Sequence, residues 1–469
     1  MNYIEFEIKK EKFLGDLTTP VSVYLNLRDK FLRTILLESS DYNSKENASS
    51  FIAVNPIAEI NVKESVIKER VFLEESTVQI ENKNVLKRLH QFFNKFRLKN
   101  KDYIQKANAI FGYIAFDAVP YFEIINFRKK ENYDIPEIWF SLYQYIIEFK
   151  HFSNEISLVE LIHQDCKNTG MDIKKYLYSN QNVNSFFQKT GNEVPNMSDD
   201  DFLEIIDKCK RHCLRGDVFK VVPSRQFKQA FKGDDFLLYS MLRSINPSPY
   251  QFYFDYGNFH LMGASPETQI KVQKDKAYIF PIAGTFKRTG NETEDLALAE
   301  KLKKDPKEMA EHTMLVDLAR NDLSRNGQNI RIEKFSEIQF FSHVIHLVSK
   351  VSAGINRNDE SFFNIVSDTF PAGTLSGAPK YRAIELIDEI EPTARSFYGG
   401  AVGTISFNKE INLAIIIRSL LSKDSFLYYQ AGAGIVEKSI AENELSEVNN
   451  KLAAVRKAID LAEKVKKYL

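Results

Sequence analysis

The run Glu308-Met-Ala-Glu-His-Thr-Met-Leu-Val-Asp-Leu-Ala-Arg-Asn-Asp322 contains neither Gly nor Pro, and Met309, Met314, Leu315, Leu318 and Ala319 mark one side of a helix. An amphipathic helix of this length needs a partner to cover its apolar side, and the rest of the chain has to supply it. Glu308 and Glu311 lie three apart, so their carboxylates project from neighbouring points of the helix surface. A second Glu-x-x-Glu, Glu444 and Glu447, opens the last helix, whose apolar stripe is Leu445, Val448, Leu452, Val455 and Ile459. Four carboxylates on two helices either stay a solvated face or form an oxygen-rich cage of the kind Mg2+ prefers.

The elements between these helices set the fold class. Strands in hairpin-like succession, with long helices interspersed, predict an α+β protein with antiparallel sheets rather than βαβ winding. Pro20 is followed by an alternating run, Val21-Ser-Val-Tyr-Leu, and Leu32 to Glu38 reads as a strand. Phe51 to Val54 reads as a strand that Asn55-Pro56 ends, and 139–149 with 155–161 read as paired strands. The polar, Asn-rich stretch 166–197 is the expected boundary between an N-terminal region, 1–165, and a C-terminal region, 198–469; Ser198-Asp-Asp-Asp caps the helix after it. Ile338 to Val351 and Ile411 to Leu421 are each expected as one strand.

Composition excludes several function classes. Lys+Arg equals Asp+Glu at 63 each, so no nucleic-acid partner or basic membrane face is expected. The three cysteines, Cys166, Cys209 and Cys213, are too few for a disulfide framework and form no zinc pattern. No apolar run reaches ~18 residues, so no membrane span is expected, and the cytoplasm is the expected compartment.

Some residue types in the C-terminal region point to chemistry. Arg418 interrupts Leu413-Ala-Ile-Ile-Ile-Arg-Ser-Leu-Leu421. Burying a guanidinium there requires an anion, either a structural carboxylate or a substrate carboxylate held in a bidentate clamp. In Gln430-Ala-Gly-Ala-Gly434, small residues either make a turn or let backbone N–H groups approach an anion. His346 is either a core histidine or the best general acid/base in the chain. Pro281-Ile-Ala-Gly-Thr285 and Gly373-Thr374 are Gly-Thr turns suited to presenting a hydroxyl beside a ligand; no phosphate-loop Gly-Lys-Ser/Thr follows the second.

Taken in order, these stretches resemble the chorismate-utilising enzymes. The similarity rests on 281–285, Glu-His-x-Met-Leu-Val-Asp-Leu-Ala-Arg-Asn-Asp at 311–322, His-Leu-Val-Ser at 346–349 and Gly-Thr-Leu-Ser-Gly-Ala-Pro-Lys at 373–380. It continues with Tyr-Gly-Gly-Ala-Val-Gly at 398–403, Ile-Arg-Ser at 417–419 and Gln-Ala-Gly-Ala-Gly-Ile-Val at 430–436. Within that family the chain is most similar to the large components of anthranilate synthases. The resemblance implies a four-layer α/β/β/α sandwich with two large antiparallel sheets. It implies a lyase that converts chorismate and ammonia to anthranilate and pyruvate in tryptophan biosynthesis. The ammonia would come from a glutamine amidotransferase subunit (component II), so a hetero-oligomer is expected.

By the same resemblance Glu311 and Glu447 hold Mg2+, with Glu308 and Glu444 in support. Arg418, Tyr398 and the backbone of Gly432 and Gly434 hold the enolpyruvyl carboxylate. Gly284, Thr285 and Thr374 line the ring, and His346 assists departure of the C4 hydroxyl. Glu38, Ser39, Pro249, Tyr250 and Gln251 resemble the feedback site for L-tryptophan, with Gln251 where an apolar residue is usual. Ala283 stands where aminodeoxychorismate synthases carry a nucleophilic Lys, so a covalent route is not expected. Lys220 and Pro223 depart from the pattern. Anthranilate synthases have Gln at the first of these positions, whereas isochorismate and salicylate synthases have a Lys that activates water. Lys220 therefore keeps open an isochorismate synthase-like addition of water. A catalytically silent subunit that binds chorismate or tryptophan is the other alternative.

Overall fold

The computed structural model describes residues 3–39, 48–99, 108–128, 133–166, 170–179, 185–340, 344–356 and 360–465. Apart from the short pair Lys220–Val221 and Gly377–Ala378, its strands form one continuous closed array, folded into two sheet layers that share one bent pair, Ser49–Lys63 and Ile138–Lys150. The ladder between them runs from Ser49↔Lys150 to Val62↔Ile138, with a register shift between Pro56 and Ala58. Asn55-Pro56 was expected to end a strand and instead bends one. Asn55 takes φ 61 and its amide donates to Gln144 Oε1 at 2.6 Å, while a bulge tolerates a proline that has no N–H for the ladder.

On one side of the bend Ser50–Ala53 neighbours Ile35–Glu38, and 145–150 neighbours Glu155–Ile162. That sheet continues from Ile35–Glu38 through Tyr250–Asp255, Phe259–Ser265, Ser419–Lys423, Phe426–Gly432 and Ser224–Gly233 to Phe187–Pro195. Across the bend 58–63 pairs with Val66–Val71, and 138–142 pairs with Ala109–Ile114. The second sheet then runs through Ala401–Ser406, Ile411–Ile415, Thr268–Gln273 and Lys276–Ile279 to Val344–Gly354. All these pairings are antiparallel.

Alternation along the strands makes the layers. Ile35, Leu37, Phe252, Phe254, Phe259 and Leu261 of the first sheet join Phe111, Tyr113, Val402 and Ala414 of the second in one buried cluster between the sheets. Leu36, Tyr253 and Met262, one residue out of step, point the other way and pack with helical Tyr24, Leu27, Leu238 and Leu242. Helices thus cover the outer faces, which gives the α+β sandwich of helix, sheet, sheet and helix.

Several local expectations are corrected. Residues 20–28 form the helix Pro20–Arg28 rather than an alternating strand. Thr19 and Ser22 close a capping box, Pro20 sits at the first turn, and Val23, Tyr24 and Leu27 share the buried face. The run 338–351 is two strands, Gln328–Phe340 and Val344–Gly354; residues 341–343 lie outside the described residues. The run 411–421 is also two strands, broken at 416–418, where Arg418 adopts φ 49. The helix Asp199–Arg215 forms as expected, with Ser198 and Asp201 in a capping box and Gly216 left-handed at its end. Of the polar stretch before it, 170–177 is helical and Phe187–Pro195 pairs with Ser224–Gly233.

At the start of helix Phe236–Ile245, Asp235 is buried and accepts from Tyr253 Oη and His260 Nδ1, each at 2.7 Å. Burial opposes charge on His260, but Asp235 and Asp255 outweigh it and raise its pKa above 6.5; burial likewise opposes charge on Asp235, which His260 nevertheless lowers. A raised histidine contributes stability that is complete below its unfolded value of about 6.5 and is lost as pH rises through the folded value. His260→Ala is expected to cost about 2 kcal/mol in urea unfolding at about pH 6, because it removes the ion partner of a buried carboxylate. The difference from the native chain should shrink by about pH 9; a difference that does not change with pH would remove the ion-pair assignment.

Candidate active site

The helix Pro306–Ser324 begins with Asp305 accepting from the backbone N–H groups of Lys307 and Glu308, and it packs His312, Leu315, Val316, Ala319 and Leu323 inward. The buried stripe is offset from the sequence expectation, since Met314 and Leu318 are only half-buried. The C-terminal helix Ala441–Lys464 buries Val448, Leu452, Val455 and Ile459. This packing brings the two Glu-x-x-Glu pairs within electrostatic reach. Burial raises the Glu308 carboxyl, and Glu311 and Glu447 raise it further. Burial also raises Glu444, again with a contribution from Glu447.

Two lysines answer this negative charge. Lys220, 5% exposed, donates from Nζ to Glu311 Oε1 at 2.6 Å. Burial works to raise Glu311, but Lys220 outweighs it and the pKa falls below the carboxylate norm. Lys451 pairs with Glu447 at 2.7 Å and donates to the Gly432 carbonyl at 2.8 Å. Gly434 makes room for Lys220: a β-carbon there would lie 2.4 Å from Lys220 Cε and 2.9 Å from Nζ. An oxygen-only set of crowded carboxylates has the chemistry of a hard divalent-cation site. Among the described residues, however, no three candidate ligands converge at ligating distance.

Arg418 stands at the strand break after Ile415. Among the described residues it pairs with no carboxylate; its Nη1 donates to Asn246 Oδ1 at 3.3 Å. Burial lowers its pKa, and Glu267 is the acid whose charge acts against that. Glu267 accepts a hydrogen bond from Thr374 Oγ1 at 2.8 Å. Burial pushes the Glu267 carboxyl up to about 7, against the opposing pull of Thr374, Lys220, Lys451 and Arg418. Tyr398 is buried, which raises its phenol against the opposing pull of Arg395 and the Gly432 backbone. Thr374 thus touches Glu267, and Lys220, Lys451, Arg418 and Tyr398 lie within its electrostatic reach.

Gly284 and His346 occupy a neighbouring part of the site. Gly284 takes φ 64, and a β-carbon on it would lie 3.2 Å from Glu308 Oε2 and 2.8 Å from Leu302 Cδ1. His346 Nδ1 donates to the Gly284 carbonyl at 2.8 Å, and burial lowers the imidazole pKa. The ring is therefore held neutral with Nε2 as the acceptor. Thr285 pairs with His346 along the backbone; its side chain lies outside the described residues. Lys380 is bound to Asp322 at 2.7 Å, so it anchors the helix end.

The other predicted cluster lies on adjacent strands, where Gln251 is opposite Glu38. Buried Glu38 accepts from Tyr239 Oη and pairs with Arg243, each at 2.7 Å. Gln251 Nε2 donates to the Arg243 carbonyl at 3.1 Å, and Tyr250 Oη donates to Asn412 Oδ1 at 3.0 Å. The Ser39 N–H donates to the Ser49 carbonyl, and Pro249 is half-buried beside Tyr250. Helix Phe236–Ile245 carries Tyr239 and Arg243, and its C-cap is Asn246, the partner of Arg418.

Sequence reasoning missed Glu267. Its one local signal is a carboxylate at a strand start in Ser265-Pro-Glu-Thr268, and nothing in that spacing predicts Arg418, Lys220 and Thr374 around it. Burial raises the thiols of Cys209, Cys213 and Cys166, the last to about 11, so none is an activated nucleophile.

A sequence profile described as chorismate binding enzyme matches residues 34–457, and the chain belongs to that family. Its relatives narrow the comparison. The chain is 34% identical over 468 residues to anthranilate synthase component 1 of Aquifex aeolicus, covering 96% of this chain and 94% of that one. It is 34% identical over 462 residues to the Lactococcus lactis component 1, covering 96% and 99%. The crystal structure of anthranilate synthase component I from Streptococcus pneumoniae superposes with TM-score 0.77 at 28% identity, covering 95% and 99%. The menaquinone-specific isochorismate synthase of Escherichia coli shares the fold, with TM-score 0.75 at 17% identity, covering 97% and 94%.

Proposed function

We propose that this chain is the chorismate-converting component of an anthranilate synthase, and the observation that carries the proposal is half-buried Arg418, which among the described residues pairs with no carboxylate, within electrostatic reach of Glu267, whose carboxyl is pushed up to about 7. A guanidinium left in this state is poised for an acid that arrives with the substrate. Arg418, Tyr398 and the backbone at Gly432 and Gly434 take the enolpyruvyl carboxylate. Gly284, Thr285 and Thr374 line the ring. Ammonia adds at C2, the C4 hydroxyl leaves as water, and the enolpyruvyl group then leaves as pyruvate to give the aromatic amine. Departure of the C4 hydroxyl needs a proton, and Glu267, partly protonated near neutrality, supplies it in place of His346, whose ring is held neutral.

Glu311 and Glu447, supported by Glu308 and Glu444, are the residues that would hold Mg2+. Lys220 and Lys451 would have to yield the carboxylates they now grip. When bound, the ion supplies charge neutralisation and orientation for the ring carboxylate. The cysteines' raised thiols support a separate glutamine amidotransferase as the ammonia source, and free ammonium should replace it. The cytoplasm remains the proposed compartment; no helix among the described residues is long and apolar enough to cross a membrane.

Lys220 favours a second reading, addition of water. Its Nζ donates to Glu311 at 2.6 Å, a grip that Mg2+ would have to release, and ammonia chemistry is preferred because the relatives at 34% identity are anthranilate synthase components. Incubation with chorismate, Mg2+ and ammonium is expected to give anthranilate and pyruvate, abolished by EDTA, with Lys220→Gln retaining ammonia-dependent turnover. Isochorismate formed equally well without ammonium, or a dead Lys220→Gln enzyme, would favour water.

A protonated Glu267 is active below its pKa, so at constant free ammonia kcat/KM should fall about tenfold per pH unit above about 7. Glu267→Gln should flatten that limb and lower kcat at least about 100-fold; an unchanged pH profile would clear Glu267 of the role.

The Glu38 cluster is proposed as a feedback site for L-tryptophan, in which Glu38 meets the amino group and Ser39, Pro249, Tyr250 and Gln251 contact the rest. Millimolar tryptophan should inhibit turnover, and Glu38→Ala should raise the inhibitory concentration at least about tenfold. Full activity in millimolar tryptophan would remove this assignment.

A further inference from the structure

We propose that Asn246 is a positioning residue for Arg418: its side-chain amide fixes the guanidinium that receives the substrate carboxylate. The inference rests on the role given to Arg418 above and deepens it. Arg418 is an unusual support for a charged side chain. It is a non-glycine residue at φ 49, placed where the ladder breaks between Ile411–Ile415 and Ser419–Lys423. Its backbone carbonyl is secured by the Ala264 N–H at 3.1 Å, but a secured backbone leaves a long side chain free to turn.

The Asn246 amide supplies the missing restraint. Oδ1 accepts from Arg418 Nη1 at 3.3 Å, and Nδ2 donates to the Ala264 carbonyl at 3.2 Å. Ala264 is the residue whose N–H holds the Arg418 carbonyl, so Asn246 closes a ring through Ala264 and both ends of Arg418. Asn246 is itself fixed, since its N–H caps helix Phe236–Ile245 by donating to Leu242 O at 2.9 Å, and its carbonyl accepts from Ser248 Oγ at 3.1 Å. A neutral amide suits this place. It takes one guanidinium N–H and leaves the positive charge uncancelled, whereas a carboxylate would compete with the incoming acid. Asn therefore orients the charge without consuming it.

The test measures chorismate binding by equilibrium dialysis and steady-state turnover with ammonium, for the native full-length chain and the variants Asn246→Ala, Asn246→Asp, Arg418→Ala and the double variant Asn246→Ala/Arg418→Ala. Asn246→Ala should raise the chorismate Kd and KM about tenfold while kcat changes less than about threefold. Near-isosteric Asn246→Asp, which guards against simple loss of folding, should raise them further because it neutralises Arg418. In the Arg418→Ala background the Asn246 change should add almost nothing, since the two residues act as one unit. Native affinity in both Asn246 variants, or a fully additive double variant, would overturn the proposal. A native chain that binds chorismate but makes no anthranilate would overturn the ammonia-lyase reading alone, because Kd still reports on Asn246. A native chain that does not bind chorismate would overturn both.

Discussion

Charge taken out of water has to be answered nearby, and the way this protein answers it separates its scaffold from its site. At two buried acids of the scaffold, Glu391 and Glu59, the answers are close at hand. Arg395 donates to both oxygens of Glu391 and to the Leu375 carbonyl, while Glu391 also accepts from the N–H and hydroxyl of Ser224. Glu59 is closed by Arg33, Arg70 and Ser141. In the site the answers stop short. Arg418 has an amide where an acid would fit, Glu267 a hydroxyl where a cation would fit, and Glu308 and Glu444 are burdened by burial and by the charge of Glu447. These deficits, of both signs, lie on four different parts of the chain.

The bent pair Ser49–Lys63 and Ile138–Lys150 makes that juxtaposition possible. By leaving one sheet and entering the other, it closes the inner apolar layer and orders the remaining strands. An inner strand of the first sheet then ends at Gly432, while the Arg418 break falls between a strand of the second sheet and a strand of the first. The Glu308 helix packs on Ile282–Lys287 and Val344–Gly354, which brings Gly284 and His346 to the same carboxylates.

How legible all this was differs by element. The Ser198 cap and the stripe of the last helix were readable because capping and 3.6-residue periodicity are local. Pro20 misled because Val21, Val23 and Leu25 alternate, while the deciding contacts of Tyr24 and Leu27 lie across the sheet on Phe236–Ile245. Asn55-Pro56 read as a stop because a bulge and a stop share residue types. The family motifs pointed to Glu308, Glu311, His346, Thr374 and Arg418. They gave no hint that Lys220 would grip Glu311, or that Glu267 would sit at the centre.

By itself, the sequence determined the α+β class, the two carboxylate-bearing helices, the Gly-Thr turns and the family, because each is written in periodicity, turn chemistry or an ordered run of motifs. Tertiary structure alone decided which charges remain unanswered. Residues 220, 246, 267, 311 and 418 meet across many turns of chain, and burial, which sets whether a carboxyl rests near 4 or near 7, is a property of the packed layers rather than of any stretch of sequence.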